Sequence, residues 1–297
     1  MKKVLCAVLA LILSLSVCTA LAQQLEIPKV KWEFPVSLLA LNSDYAILVN
    51  QDHPLDKSYV PQPQVKVKDV KRATNAAVYL EETAAKALKE MFDAALLVNS
   101  YTYVTENGKN KVAEYGDEGM VLYLKSGYRS YGTQATTYAN YLARNNNEDD
   151  GYVAKPGTSE HQTGICADIL NADFASRSRM TQDFKWSPEA QWMKENCADF
   201  GFILRFTEEG EDKTGIKFEP WHFRYVGKEI AEYVMGKGIT LEDFWADAEI
   251  AKADFAARGG NEQEWLEYED KKINQPPASY VLEECDEQGD AEISLVF

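Results

Sequence analysis

The chain has 297 residues, of which 45% are hydrophobic and 11% aromatic, so it can bury a sizeable core in one large domain or two small ones. Lysine and arginine total 31 against 47 aspartates and glutamates, which gives a formal charge of −16. A chain this acidic lacks the excess of cations that nucleic acids and anionic membranes attract, so we expect neither as a partner. The apolar fraction also excludes a wholly disordered chain.

Residues 1–22 have the three-part pattern of a secretory signal peptide. Two lysines precede an apolar run from Val4 to Val17, and Ala20-Leu21-Ala22 places small residues before a cleavage point at Gln23. Two alternatives stay open. The apolar segment is almost long enough to remain as a membrane anchor, and Cys18 is a candidate for lipidation. Because all three export the domain, we expect a secreted or cell-envelope protein.

Beyond this segment the cysteines are Cys166, Cys197 and Cys285, an odd number without CxxC spacing. This pattern does not favour a disulfide scaffold, although a single bridge remains open in an oxidising compartment. Well-separated cysteines of this kind are more often small buried hydrophobic residues than ligands.

Periodicity and boundary residues predict short strands mixed with helices. In chain order the prediction is a strand over 45–49, a helix over 80–97, a strand over 120–124, a helix from about 133 to 144, a helix from Ser187-Pro188 to Gly201, a strand over 202–206, and a helix from Thr240 to Gly259-Gly260. The elements do not alternate regularly as βαβ units, so they favour an α+β fold.

Two of the three histidines occur in unusually dense polar segments. His161 and Asp168 lie in the segment from Ser159 to Asp168, and His222 lies in Phe218 to Tyr225. Two imidazoles and one carboxylate make a catalytic zinc set, because three protein ligands leave the fourth position open for water. His161, Asp168 and His222 are therefore the predicted ligands of one zinc ion.

Glu219 and Arg129 complete the predicted chemistry. A carboxylate beside the metal can take a proton from bound water and later give it to a leaving amine, which is the role predicted for Glu219. In a continuous strand, Glu219 and His222 would face opposite sides, and Pro220 offers a kink that removes this difficulty. Arg129, followed by Gln134, can bind a terminal carboxylate or stabilise an oxyanion.

These segments together resemble a known family. Ser126-Gly127-Tyr128-Arg129-Ser130 with Gln134, then Ser159-x-His161-x-x-Gly164-x-x-x-Asp168, then Glu219-x-Trp221-His222-x-Arg224-Tyr225-Val226-Gly227 are similar to the motifs of VanY-type D-alanyl-D-alanine carboxypeptidases. The resemblance runs from about residue 48 to residue 240, and the three motifs occur in the family's order.

The resemblance implies a zinc peptidase that acts on peptidoglycan stem peptides. It implies a small antiparallel sheet flanked by helices, the α+β fold shared with Hedgehog-like domains. Carried over by motif, His161, Asp168 and His222 bind zinc and Glu219 is the general base and acid, assisted by Arg129. The residues that contact substrate are then Tyr128, Gln134, Ser159 and Trp221.

The resulting domain prediction has four parts. Residues 1–22 are the signal peptide, 23–75 an extended segment, 76–245 the catalytic domain, and 246–297 an acidic C-terminal extension, helical or irregular; we expect a monomer. Three residues depart from the family pattern, one of them Gly132, which stands in place of a larger residue after Tyr131. Cys166 replaces an alanine, which introduces a thiol that can compete as a ligand, and Phe206 replaces a tyrosine, which removes one hydroxyl contact.

The predicted reaction is release of C-terminal D-alanine by a D,D-carboxypeptidase. An L,D-carboxypeptidase that trims tetrapeptides has the same metal site and is the first alternative. An endopeptidase that cuts cross-bridges is a second, and a non-catalytic wall-binding module on a decayed peptidase fold is a third.

Overall fold

The computed structural model describes residues 25–274, so the predicted signal peptide and Cys285 lie outside the described residues. The described residues form two compact units. Residues 34–253 make up the larger unit, which contains all of the predicted site residues, and residues 25–33 with 254–274 make up the smaller one. Across 25–274, no helix is both long enough and apolar enough to cross a membrane. The four-part domain division stays a prediction.

Short helices and strands alternate irregularly along the chain. The helices are α1 (Leu38–Leu41), α2 (Glu82–Ala95), α3 (Tyr131–Arg144), α4 (Ala172–Ser176), α5 (Pro188–Asn196), α6 (Glu211–Thr214), α7 (Lys228–Lys237), α8 (Leu241–Ala257) and α9 (Glu262–Asn274). The strands are β1 (Gln64–Lys66), β2 (Tyr79–Glu81), β3 (Ser100–Val104), β4 (Asn110–Glu114), β5 (Tyr123–Ser126), β6 (Cys166–Leu170), β7 (Phe202–Leu204) and β8 (His222–Tyr225).

The larger unit is built on a four-stranded antiparallel sheet in the order β5-β6-β8-β7. Two antiparallel pairs, β1-β2 and β3-β4, form separate sheets. The predicted α+β class with a small antiparallel sheet among helices is confirmed.

The two faces of β6 and β8 carry different chemistry. Ala167 lies opposite Phe223 in the register, and both side chains belong to the hydrophobic core. Their neighbours Asp168 and His222 are also opposite each other. Because successive side chains of a strand point to opposite faces, Asp168 and His222 lie on the face away from Ala167 and Phe223. The register between β6 and β8 therefore places apolar side chains on the core face of the sheet and Asp168 and His222 on the opposite face.

Most predicted helices are confirmed, with bounds shifted by a few residues. In α2 the apolar residues that recur with helical periodicity are all buried: Ala84, Leu88, Met91, Phe92 and Ala95. The Ser187 side chain accepts a hydrogen bond from the Ala190 amide, and Pro188 begins α5. Gly201 ends that region in a left-handed conformation (φ 77°), which glycine adopts without steric cost.

The predicted strand over 45–49 is wrong. Residues Asp44–Ala46 form a 3₁₀ turn, and the following residues are irregular. The carbonyls of Tyr45 and Ile47 accept hydrogen bonds from the Arg224 guanidinium at 3.1 and 2.6 Å, and the Ala46 carbonyl accepts one from the Trp245 indole at 2.8 Å. The apolar pattern resembles a strand, but side chains of distant elements take the backbone acceptors.

The strand predicted over 120–124 lies later in the chain, at Tyr123–Ser126. The Met120 amide instead donates to the Ala95 carbonyl at the end of α2, at 3.0 Å. The strand predicted over 202–206 ends earlier, at Leu204. At α8, the Thr240 hydroxyl accepts from the Asp243 amide and the Asp243 carboxylate accepts from the Thr240 amide, which makes a reciprocal cap at the predicted start.

Gly164 provides a test of how closely the segment that carries His161 is packed. Gly164 and Gly238 both end helical turns in the left-handed region, with φ of 71° and 64°. A Cβ on Gly164 would lie 2.7 Å from Cγ of Pro61, whereas one on Gly238 would meet no atom within 4 Å. We expect Gly238→Ala to lose about 1–2 kcal/mol of unfolding free energy from backbone strain. Gly164→Ala should lose about 1–3 kcal/mol of unfolding free energy beyond the loss in Gly238→Ala, because its new Cβ overpacks against Pro61. Urea denaturation measures both, and equal losses would contradict the packing argument.

Candidate active site

A cavity of about 210 Å³ opens on the polar face of the central sheet. It is lined by nearly all of the predicted site residues: Arg129, Gln134, Ser159, His161, Asp168, Glu219, Trp221 and His222. These residues come from three separate segments of the chain, 129–134, 159–168 and 219–222, and folding brings them to one place. Tyr128 is half-buried and is not among the lining residues.

The Asp168 carboxylate lies between the two imidazoles. One oxygen is 3.4 Å from Nε2 of His161, and the other is 3.1 Å from Nδ1 of His222. The rings are close to perpendicular, with centroids 5.0 Å apart. The three residues are 2–5% exposed. Two imidazole nitrogens and both oxygens of one carboxylate therefore converge in a buried pocket.

His161 has its ring orientation set by the backbone. Its Nδ1 lies 2.7 Å from the Gly127 carbonyl, which can only accept a hydrogen bond, so Nδ1 carries the proton. The lone pair is then on Nε2, the nitrogen that faces Asp168. This tautomer is the one that a metal bound through Nε2 requires.

Glu219 lies in a turn and not in a strand. The His222 amide donates to the Glu219 carbonyl at 3.1 Å, which closes the turn over Pro220 and Trp221, and β8 begins only at His222. The strand rule therefore does not separate the two side chains. An oxygen of Glu219 lies 3.6 Å from Nδ1 of His222, beside the converging ligands.

The pKa values of the two buried carboxyls shift in opposite directions, because their charged neighbours differ. Burial and the nearby Asp168 carboxylate raise the pKa of Glu219 to about 7, although the imidazoles and Arg129 oppose this rise. Burial also acts to raise the pKa of Asp168, but the imidazoles of His161 and His222 outweigh it and hold that pKa well below its usual range. Asp168 is the better permanent anion, and Glu219 is suited to exchanging a proton near neutral pH.

The donor atoms near His222 form two overlapping sets of three that are suited to holding a metal ion. One set is His161, Cys166 and His222, and the other is Asp168, Glu219 and His222. Of the predicted ligands, His161 belongs to the first set, Asp168 to the second, and His222 to both. Imidazole nitrogen and carboxylate oxygen are ordinary zinc ligands, so this chemistry fits the ion. The buried Cys166 adds a thiol to the same pocket.

Arg129 and Gln134 present polar groups to the cavity. The Arg129 amide donates to the His161 carbonyl at 3.0 Å, which fixes the arginine next to the site. Its buried Nε has no hydrogen-bond partner within residues 25–274. The Gln134 amide nitrogen donates to the Ala154 carbonyl at 2.6 Å, while its buried oxygen likewise has no partner in that range. Such groups are costly to bury unless a ligand satisfies them.

The remaining predicted residues frame the cavity. Ser159 precedes the short 3₁₀ helix Glu160–Thr163, and Trp221 is 5% exposed and also belongs to the hydrophobic core. Phe206 lies with its ring centroid 4.9 Å from that of His222, so it packs against the ring where the family's tyrosine would carry a hydroxyl.

Sequence reasoning missed two parts of this region. One wall of the cavity comes from the segment after α3, including Tyr152, Val153, Ala154 and Thr158. The sequence marks the start of this segment only as a polar loop, and lining residues on loops have no periodic signal. The second part is a buried ionic cluster around Glu160, Arg205 and Arg224. Two of its residues lie inside the recognised motifs, but only the structure gives their contacts.

Comparison with known proteins places these features in a family. The family model "VanY: D-alanyl-D-alanine carboxypeptidase" matches residues 101–228. The putative carboxypeptidase YodJ of Bacillus subtilis is 34% identical over 67% of this chain and 66% of its own length. A D-alanyl-D-alanine carboxypeptidase of Enterococcus faecalis is 32% identical over 67% of this chain and 64% of its own. The chain thus spans slightly less than two thirds of the length of these relatives.

Solved structures extend the comparison to the fold. The LD-carboxypeptidase LdcB superposes with a TM-score of 0.55 at 32% identity, over 67% of this chain and 84% of that one. A variant of the vancomycin-resistance D,D-pentapeptidase VanY, in complex with Zn(II), gives a TM-score of 0.50 at 25% identity, over 68% and 99%. The motifs, the fold and these matches agree: the chain belongs to the VanY family of D-alanyl-D-alanine carboxypeptidases.

Proposed function

We propose that this protein is a zinc-dependent carboxypeptidase that removes the C-terminal D-alanine from peptidoglycan stem peptides or their precursors. The observation that carries the proposal is the convergence of His161, Asp168 and His222 beside Glu219, in a cavity that also contains Arg129. The VanY relative crystallised with Zn(II) supports the choice of ion.

His161, Asp168 and His222 hold one zinc ion in this proposal. When bound, the ion supplies a Lewis acid for the scissile carbonyl and an acidified water. The chain supplies the orientation. The Gly127 carbonyl fixes the ring of His161, and the β6-β8 register fixes Asp168 against His222.

Glu219 moves the proton. Its raised pKa lets it take a proton from the attacking water near neutral pH and pass it to the departing D-alanine amine. The turn at Pro220 holds the carboxyl at the edge of the ligand set. With the ion held by His161, Asp168 and His222, Glu219 remains available for proton transfer in this proposal.

Arg129 and Gln134 bind the end of the substrate. A free C-terminal carboxylate is a natural partner for a guanidinium whose buried Nε has none within the described chain. The unpaired Gln134 oxygen can accept from a substrate amide. Ser159 and Trp221 line the same cavity and contact the peptide.

Two stem-peptide reactions have support. The family model and the enterococcal relative favour D,D-carboxypeptidase activity, in which the bond cut lies between two D-alanines. The likeness to LdcB makes L,D-carboxypeptidase activity on tetrapeptides the second candidate. We place either reaction outside the cytoplasm, because residues 1–22 have the pattern of an export signal.

The D,D and L,D reactions are separated by defined substrates. We expect D-alanine release from a pentapeptide ending in D-alanyl-D-alanine and much slower release from the matching tetrapeptide. Chromatography of the products on both peptides measures the two rates. Release from the tetrapeptide alone would identify the second candidate as the correct one.

Replacing Glu219 distinguishes an active carboxypeptidase from a non-catalytic wall-binding module. Glu219→Gln keeps the side-chain shape and removes the base, so we expect turnover to fall by about 10²- to 10⁴-fold with zinc still bound. Steady-state kinetics and metal content measure the two effects. The matched control is Glu209→Gln. Glu209 is exposed and, like Glu219, precedes β8 in the chain, so this variant should retain activity. Unchanged turnover in Glu219→Gln would exclude the assigned base.

Replacing Arg129 tests which group it binds. If it holds the substrate carboxylate, Arg129→Gln should raise KM by about 10- to 150-fold, the value of one charge-assisted hydrogen bond. The effect should disappear on a substrate with an amidated C-terminus. A drop in kcat on both substrates would instead indicate oxyanion stabilisation. Arg144→Gln, at the exposed end of α3, is the control for loss of charge alone.

A further inference from the structure

Next to the proposed zinc site lies a buried cluster of charged side chains that the mechanism above does not use. The side chains of Glu160, Arg205 and Arg224 are 0% exposed, and that of Glu242 is 16% exposed. Removing such charges from water is costly in proteins generally, so each buried charge needs close partners that offset that cost.

One carboxylate oxygen of Glu160 accepts hydrogen bonds from both arginines. Oε1 accepts from Nε of Arg205 at 2.8 Å and from Nη1 of Arg224 at 2.7 Å. Because both guanidiniums bind the same oxygen, the other oxygen, Oε2, stays available. The carboxylate is therefore held in a fixed direction by one atom and can act through the second.

The second oxygen faces a metal ligand. Oε2 of Glu160 lies 3.5 Å from Nε2 of His222, and both atoms are buried with no hydrogen bond to any other described group. His222 directs its other ring nitrogen, Nδ1, toward Asp168 at 3.1 Å. A histidine that binds metal through one nitrogen commonly donates the N–H of the other to a carboxylate. A shift of about half an ångström would bring the Glu160–His222 distance to that of an ordinary hydrogen bond.

The arginines that hold Glu160 are themselves fixed. Nη2 of Arg224 donates to two backbone carbonyls near the start of the larger unit, at 3.1 and 2.6 Å. Arg205 makes a two-point pair with Glu242, at 2.8 and 2.6 Å, and Asn50 donates to Glu242 at 3.2 Å. Two guanidiniums balance two carboxylates, so Glu160 has both an electrostatic and a geometric reason to keep its place.

We propose that Glu160 is a positioning residue for His222. It accepts the Nε2–H of the ring, and this keeps Nδ1 deprotonated and directed toward the zinc ion. The inference rests on the proposed function, because it requires that His161, Asp168 and His222 bind zinc. Although Glu160 precedes one ligand in sequence, it acts on another ligand 62 residues later in the chain.

The test is the zinc affinity of matched variants of the full chain, measured by competition with a chelator. We expect Glu160→Gln to weaken zinc binding by about 10- to 100-fold, the usual effect of losing a carboxylate behind a ligand. Glu242→Gln removes the same charge from the same cluster, but its contacts are with Arg205 and Asn50. It should change the affinity less than about threefold, since it touches no ligand.

A second readout separates positioning from general destabilisation. In the zinc-loaded protein, proton NMR should show a slowly exchanging Nε2 proton of His222, shifted downfield by its carboxylate partner. That signal should move in Glu160→Gln and stay in Glu242→Gln. Should Glu160→Gln fail to fold, Glu160→Asp keeps a carboxylate between the arginines but withdraws it from the ring, and it should show the same loss of affinity.

Two results would overturn the inference. One is wild-type zinc affinity in every folded Glu160 variant, and the other is an equal loss in Glu242→Gln. His222→Ala is the reference for loss of a ligand. If the wild-type protein itself bound no zinc, the proposed function would fail and this inference with it. Tight binding by both wild type and Glu160 variants would overturn this inference alone.

Discussion

The register between β6 and β8 is the constraint on which the rest of the site depends. It sets Asp168 opposite His222 on one face and Ala167 opposite Phe223 on the other. A slip of one residue would send Asp168 and His222 into the hydrophobic core and the core residues into the cavity. Packing of the core face, with Phe223 fully buried, therefore also fixes the geometry of the polar face. Stability and site geometry are set by the same pairing.

The charges around each buried carboxyl give the two groups different acidities. Asp168 and Glu219 are two carboxyls a few ångströms from the same imidazole, yet their pKa values move in opposite directions. Asp168 lies between both rings, whose positive charge stabilises its ionised form. Glu219 lies at one side, where burial and the neighbouring anion dominate. A permanent anion and a group that exchanges protons can thus coexist in one pocket, as acid–base chemistry at neutral pH requires.

The sequence correctly predicted helix faces and helix ends, because these depend on residues that are close together in the chain. The apolar face of α2, the Ser187-Pro188 start of α5 and the Gly201 stop depend on neighbouring residues, and all three are confirmed. The strand over 45–49 failed because its carbonyls bind Arg224 and Trp245, which lie far away in sequence. A hydrophobic pattern carries no information about such distant partners.

By itself, the sequence determined the α+β class, the family and most of the polar residues that line the cavity, because these follow from residue types in ordered motifs. Only the tertiary structure decided how they are arranged. It placed Glu219 in a turn, left Tyr128 out of the cavity lining, and brought Glu160 to 3.5 Å from His222. The physical reason is that contacts between buried charges depend on distances across the fold, whereas motifs and periodicities record only spacing along the chain.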